Sequence, residues 1–152
     1  MRNDPLDTHK GHATEAILFG LVPMGDPRTA AEALHELQLL AETADFVVAG
    51  CMVQHRRHAD PHSYLGSGKL EELAEVVKLA HSAAVICDDS LTPNQGKAIE
   101  AADGVPCLDR SELILQIFGL HARTPQAKLQ VELASLQYQM PRLKRLWTHL
   151  ER

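Results

Sequence analysis

Four short apolar runs alternate with four stretches that carry apolar residues at three- and four-residue steps, and this alternation limits the folds open to the chain more than any other feature. The runs are AILFGLV at 16–22, FVVAGCMV at 46–53, AAVIC at 83–87 and VPCL at 105–108. A continuous apolar run of this length is the pattern of a strand covered on both faces. Between the runs, Ala30, Ala33, Leu34, Leu37, Ala41 and Ala44 recur as the inner face of a single amphipathic helix, with Thr29 as its cap. Leu70, Leu73, Ala74, Val77 and Ala80 mark a second helix. Thr92 and Pro93 supply the cap and first residue of a third, which ends near Gly104. Asp109 or Ser111 caps a fourth, carrying Leu113, Ile114, Ile117 and Phe118. The connections are too long for hairpins, so the predicted fold is α/β: a small four-stranded parallel sheet flanked by helices on both faces.

At 152 residues the chain is long enough for one ordinary domain with an appendage, and 45% apolar against 23% charged residues lets it bury a core. Aromatic residues make up only 4%, which argues against binders that stack single-stranded bases on aromatic platforms. Cys51, Cys87 and Cys107 lack any paired spacing and sit inside apolar runs, so they read as small hydrophobes in a reducing compartment. The first apolar run falls far short of the roughly 20 residues that span a bilayer, and no signal peptide precedes it. The expected location is the cytoplasm, with no membrane partner.

After residue 121 the strand and helix rhythm stops. Leu129, Leu133, Leu136, Met140, Leu143, Trp147 and Leu150 step by four and three in strict alternation, a heptad seam that calls for a partner helix. Pro141 lies off the seam but within it, which predicts a kink or two helical segments. The expected organisation is therefore a flexible leader at 1–15, an α/β domain at 16–121 and a long helix at 122–152. Charge follows the same division. Residues 1–120 hold 9 Lys and Arg against 18 Asp and Glu, whereas 121–152 hold 6 against 2. Arg142, Lys144, Arg145 and Arg152 read either as the soluble flanks of a coiled-coil helix or, given the contrast of an acidic body with a basic tail, as contacts to a polyanion.

Gly66-Ser67-Gly68-Lys69 has the look of a phosphate-binding loop, but that loop needs a glycine, four intervening residues, the Gly-Lys pair and then Ser or Thr. Ser63 and Leu70 occupy those places, so the segment reads as a turn into a helix. His55, His58 and His62, with Arg56 and Arg57 among them, lack the helical spacing or second cysteine pair of a zinc site. They read as a solvated basic loop, with an RNA-facing role as the alternative. Asp88 and Asp89 close the third strand where such sheets bind ligands, yet carboxylates there also serve a following helix as caps.

Taken in order, these motifs resemble the N-terminal domain of HflX-type ribosome-associated GTPases. The resemblance is carried by Gln54-His55-Arg56-Arg57, the Tyr64 to Leu73 stretch, Asp88 to Gln95 and Asp109 to Leu115. Ala122-Arg123-Thr124, Lys128 to Ala134, Pro141-Arg142-Leu143 and Trp147 to Leu150 extend it to the tail. Gln116, in place of the family's usual Asp, and Pro125-Gln126-Ala127 depart from the pattern. The family's second hairpin helix and G domain, with its GTP and Mg sites, have no counterpart up to Arg152.

The resemblance implies a module that binds the large ribosomal subunit without its own catalysis, cofactor or metal. Arg142, Lys144, Arg145 and Arg152 would be its tail RNA contacts, and Arg56, Arg57 and Lys69 weaker ones on the body. Two other classes stay open: a nucleotide-binding regulatory domain using the sheet's C-terminal edge, and a weak homodimer paired through the seam.

Overall fold

A computed structural model describes the backbone of residues 13–150 and the side chains of residues 13–142. Residues 1–12 of the expected leader lie outside the described residues. The sheet contains β1 (Thr14–Val22), β2 (Phe46–His55), β3 (Ala84–Cys87) and β4 (Cys107–Leu108), all parallel, in the order β2-β1-β3-β4. The helices are α1 (Ala30–Ala33), α2 (His35–Thr43), α3 (Ser67–Ala80), α4 (Pro93–Asp103), α5 (Arg110–His121) and α6 (Pro125–Leu150).

Why both faces of the sheet are covered follows from the two-residue period of a strand. Ile17 and Phe19 of β1, with Val85 and Cys87 of β3, face Leu73 and Val77 of α3 and Ile99 of α4. Ala16, Leu18, Ala84 and Ile86 face the opposite way, onto Leu34, Leu37 and Ala41 and onto Leu113 of α5. In β2 the parity shifts: Phe46 and Val48 share a face with Cys51 and Val53, because a bulge skips Ala49 where Ala16 pairs Val48 and Ile17 pairs Gly50.

The caps fall on the expected residues. Thr29 and Thr92 form capping boxes with Glu32 and Gln95, Asp109 caps α5, and Gly104 ends α4 in the left-handed region at φ 73. Two expectations are corrected. The single helix expected after Thr29 is broken at Leu34 (φ −103, ψ 16), which turns inward to near-complete burial beside Gly20, where a Cβ would stand 3.1 Å from Leu34 Cδ2. Close packing on β1 wins over helical continuity. Of the kink or two segments expected at Pro141, the two-segment form is not found: the tail is one helix through it, and the lost N–H costs the Gln137 carbonyl one bond without ending the helix. Among the described residues no helix is long and apolar enough to cross a membrane.

Candidate functional site

The strand order reverses between β1 and β3, and parallel sheets bind ligands outside the carboxyl ends at such a point. Here the crevice is already occupied. Asp88 leaves β3 with its N–H on the Phe19 carbonyl at 2.9 Å, and a Cβ on Gly20 would meet its Cβ at 3.0 Å. Arg110 spans the edge, donating to Asp88 at 3.0 Å and to Glu36 of α2. Burial raises the Asp88 carboxyl, and the Arg110 guanidinium opposes that shift. Asp89 accepts the phenolic hydroxyl of buried Tyr64, whose ionisation burial pushes far up, so the phenol remains a donor. Both aspartates therefore hold elements together at the sheet edge.

The basic loop is tied down by its own turns. Asp60 pairs with Tyr64 through N–H to carbonyl bonds of 3.0 and 2.9 Å, and its Oδ1 accepts the N–H groups of His62 and Ser63 at 2.8 and 3.1 Å. Those bonds hold the Asp60 carboxyl below its usual range. Arg56 donates to the His58 carbonyl at 2.8 Å, His55 Nε2 lies 3.0 Å from the Asp26 carbonyl, and Arg57, His58 and His62 are exposed. Gly66 donates to Gln54 Oε1 at 2.9 Å, and a Cβ there would lie 2.9 Å from both Arg56 and Gln54. The glycine thus lets the end of β2 press against the start of α3, while Lys69 pairs with Glu72 at 3.2 Å. Leu21, Met24, Arg56, Arg57, His58 and Asp89 line an open cleft of about 580 Å³ beside this edge. Among the described residues no His, Cys, Asp or Glu cluster is arranged to hold a metal.

The third part of the surface is α6. The residues it turns toward the body are Ala127, Val131, Ala134, Ser135, Tyr138 and Arg142, each partly buried. The first four are small or compact, so the helix can approach α5 closely. The seam does not take part: Leu129, Leu133, Leu136 and Met140 are 64%, 56%, 50% and 53% exposed. Side chains of Leu143, Lys144, Arg145, Trp147 and Leu150 lie outside those described, as does Arg152 altogether.

Asp109, 1% exposed, is where α6 meets the body. Its Oδ1 accepts the Glu112 N–H at 2.9 Å as the cap of α5; its Oδ2 accepts the Leu91 N–H at 2.8 Å and the Tyr138 hydroxyl, with Arg142 at 3.5 Å. Sequence reasoning found the cap but not the hub, since its partners sit 18, 29 and 33 positions away. Tyr138 was missed as well. The signal available for it was a polar-tipped aromatic midway between the seam residues Leu136 and Met140.

Beside this joint Glu112, Leu115, Gly119, Val131 and Tyr138 line an open groove of about 210 Å³ between α5 and α6. Burial, helped by the neighbouring Asp109 carboxylate, raises the Glu112 carboxyl from 4.5 to about 7, against the pull of Arg142. An acid whose folded pKa is raised contributes stability in full below its unfolded pKa, and that contribution is lost as pH rises through the folded value. Stability should therefore fall by about 1–3 kcal/mol between pH 4.5 and 8 on account of Glu112. Asp103, pushed up to about 6 by burial, adds a change of the same sign. Urea unfolding of Glu112→Gln across this range should show a flatter pH dependence than the parent chain. Parallel curves would remove Glu112 as the cause.

Comparison with known proteins gives two adjoining matches. A family model described as GTP-binding GTPase N-terminal covers residues 31–119, and one described as GTP-binding GTPase Middle Region covers 121–152. The chain is 38% identical over 147 residues to the GTPase HflX of Magnetococcus marinus, spanning 97% of this chain and 34% of that protein. It is 40% identical over 121 residues to the GTPase HflX of Escherichia coli, spanning 80% of this chain and 28% of that protein. Among solved structures, a GTP-binding protein from the hyperthermophilic archaeon Sulfolobus solfataricus in complex with GDP superposes with a TM-score of 0.65 at 28% identity. That match covers 89% of this chain and 40% of the other. The chain thus spans about a third of the length of the curated relatives it matches.

Proposed function

This chain belongs to the HflX-type family of GTP-binding proteins, and from that membership we propose that it is a cytoplasmic module that binds rRNA of the large ribosomal subunit and performs no phosphoryl transfer itself. The observation that carries the reading is the separation of charge along α6. Along its described length it lies on an acidic body through small residues, and the sequence places Lys144, Arg145 and Arg152 after that stretch. Cations gathered in sequence after an acidic domain suit a polyanion. Arg56 and Arg57 at the sheet edge, with Lys69 behind them, form a second and weaker basic area. The exposed seam is the place for the second hairpin helix, and GTP with Mg belongs to a G domain outside this chain.

Co-sedimentation with purified large subunits at increasing salt tests the reading. Three phosphate contacts predict a slope of log affinity against log salt of about −2 to −3, and Lys144→Glu with Arg145→Glu and Arg152→Glu should abolish most binding. Unchanged binding by that triple variant would overturn the assignment to the tail. The same preparation should leave GTP intact, because Ser63 and Leu70 replace the residues a phosphate loop requires. GTP turnover that is lost in Lys69→Ala would overturn this half.

One observation favours a nucleotide-binding reading, the cleft lined by Arg56 and Arg57, and equilibrium binding of labelled nucleotide separates it from the first. Another, the exposed seam, favours a weak homodimer, which sedimentation at increasing concentration would reveal.

A further inference from the structure

Sequence alone places Arg142 with the tail's RNA contacts, but its guanidinium is turned to the body. It donates to the Leu91 carbonyl at 2.8 Å and to the Tyr138 carbonyl at 3.1 Å, reaches the Tyr138 hydroxyl, and stacks 3.7 Å over the Tyr138 ring. The buried carboxylate of Asp109 is 3.5 Å away. Leu91 is held from both sides, its N–H by Asp109 and its carbonyl by Arg142. Three separate parts of the chain meet here: the β3–α4 loop, the start of α5, and α6.

We propose that Arg142 is a positioning residue, a bolt that fixes the direction in which α6 leaves the α/β body, and that it makes no contact with RNA. The inference rests on the ribosome-binding reading above for its purpose, but not for its geometry. At its start α6 follows a short link from α5, is capped by Thr124, which accepts the Ala127 N–H at 3.0 Å, and packs its first turns on α5. Small residues and the Tyr138 hydroxyl on Asp109 hold the helix as far as residue 138, and beyond them it could still swing. Arg142 supplies a further anchor 18 residues after Thr124, about 27 Å along the axis at 1.5 Å per residue. With these anchors in place, residues beyond 142 are aimed in one direction. The chemistry suits arginine and not lysine, because one planar fork must serve several acceptors while its face stacks on a ring. A guanidinium committed in this way has few donors left for a phosphate, and leaving would take the counter-charge from the Asp109 carboxylate.

Hydrogen exchange on the whole chain, with subunit binding read at several salt concentrations, tests the proposal. Arg142→Ala should speed exchange of the Leu91 amide and of α6 amides about tenfold, as the loss of one charge-assisted hydrogen bond implies. Affinity for the subunit should drop while the salt slope stays unchanged, and Arg142→Lys should restore neither property. If Arg142→Ala does not fold, Arg142→Lys decides by the same two measurements. Unaltered exchange, together with a salt slope shallower by about one or with full rescue by lysine, would make Arg142 a phosphate contact and overturn the proposal. If the parent chain fails to bind subunits at all, the ribosome reading falls, while the exchange measurement still decides whether Arg142 bolts α6.

Discussion

Asp109→Ala should cost about 3–5 kcal/mol of folding stability, the largest effect expected of any polar substitution in this chain. One carboxylate, buried to 1% exposure, serves four donors: the N–H groups of Glu112 and Leu91, the Tyr138 hydroxyl and the Arg142 guanidinium. Alanine removes a helix cap worth about 0.5–2 kcal/mol. It also leaves a half-buried guanidinium beside no counter-charge, the costly way to break a buried pair. A domain of this size has a total stability of only about 5–15 kcal/mol, so the urea midpoint should fall far. Asp109→Asn separates the contributions. Its amide oxygen can keep the cap, but its NH2 then faces the Leu91 N–H and Arg142, donor against donor, so an intermediate loss of about 2 kcal/mol is expected. A loss under about 1 kcal/mol for Asp109→Ala would show that solvent replaces these bonds and that the hub contributes little.

That hub marks where the sequence stops being legible. The strands could be read because each is a local apolar run, and the caps because a Thr or Asp lies three residues from its partner. Thr29 with Glu32 and Thr92 with Gln95 are patterns four residues long. The contact of Asp109 with Tyr138 and Arg142 has no such local pattern, since the chain between them is all of α5 and half of α6. Periodicity pointed to a seam on α6, yet the described part of the helix packs on a different face, through Ala127, Val131, Ser135 and Tyr138. A scan for large apolar residues ranks that face low, because two small residues permit a close approach without contributing hydrophobic weight. The break at Leu34 was hidden for a related reason: it depends on the absence of a side chain at Gly20, fourteen residues earlier. Charge counting had the same limit, because it weighs every cation equally. It placed Arg142 with Lys144 and Arg145, while the geometry commits that guanidinium to the body.

Tyr64→Ala should be the second severe substitution, with a loss of about 3–5 kcal/mol by the usual cost of truncating a buried aromatic. The ring is 2% exposed and meets Phe19 edge to face, with centroids 5.8 Å apart at 73°. Its hydroxyl donates to Asp89, joining the loop before α3 to the end of β3. The backbone at Tyr64 has φ 65, a left-handed conformation that a bulky residue holds only when its surroundings compensate. Burial of the ring supplies that compensation, and alanine would retain the strain without it. Tyr64→Phe keeps the ring and loses only the hydroxyl, so about 1–2 kcal/mol is expected, with Asp89 turned free to solvent. The two variants also separate stability from surface. The loop that carries Arg56 and Arg57 closes through the Asp60 and Tyr64 backbone pair, whereas α6 is held by Asp109 and Arg142 on other elements. Under conditions where Tyr64→Ala remains folded, amides of residues 56–66 should exchange faster while those of α6 keep their protection. Equal loss of protection in both regions would mean that the loop and the helix form one cooperative unit, and that the basic edge cannot be loosened without releasing α6.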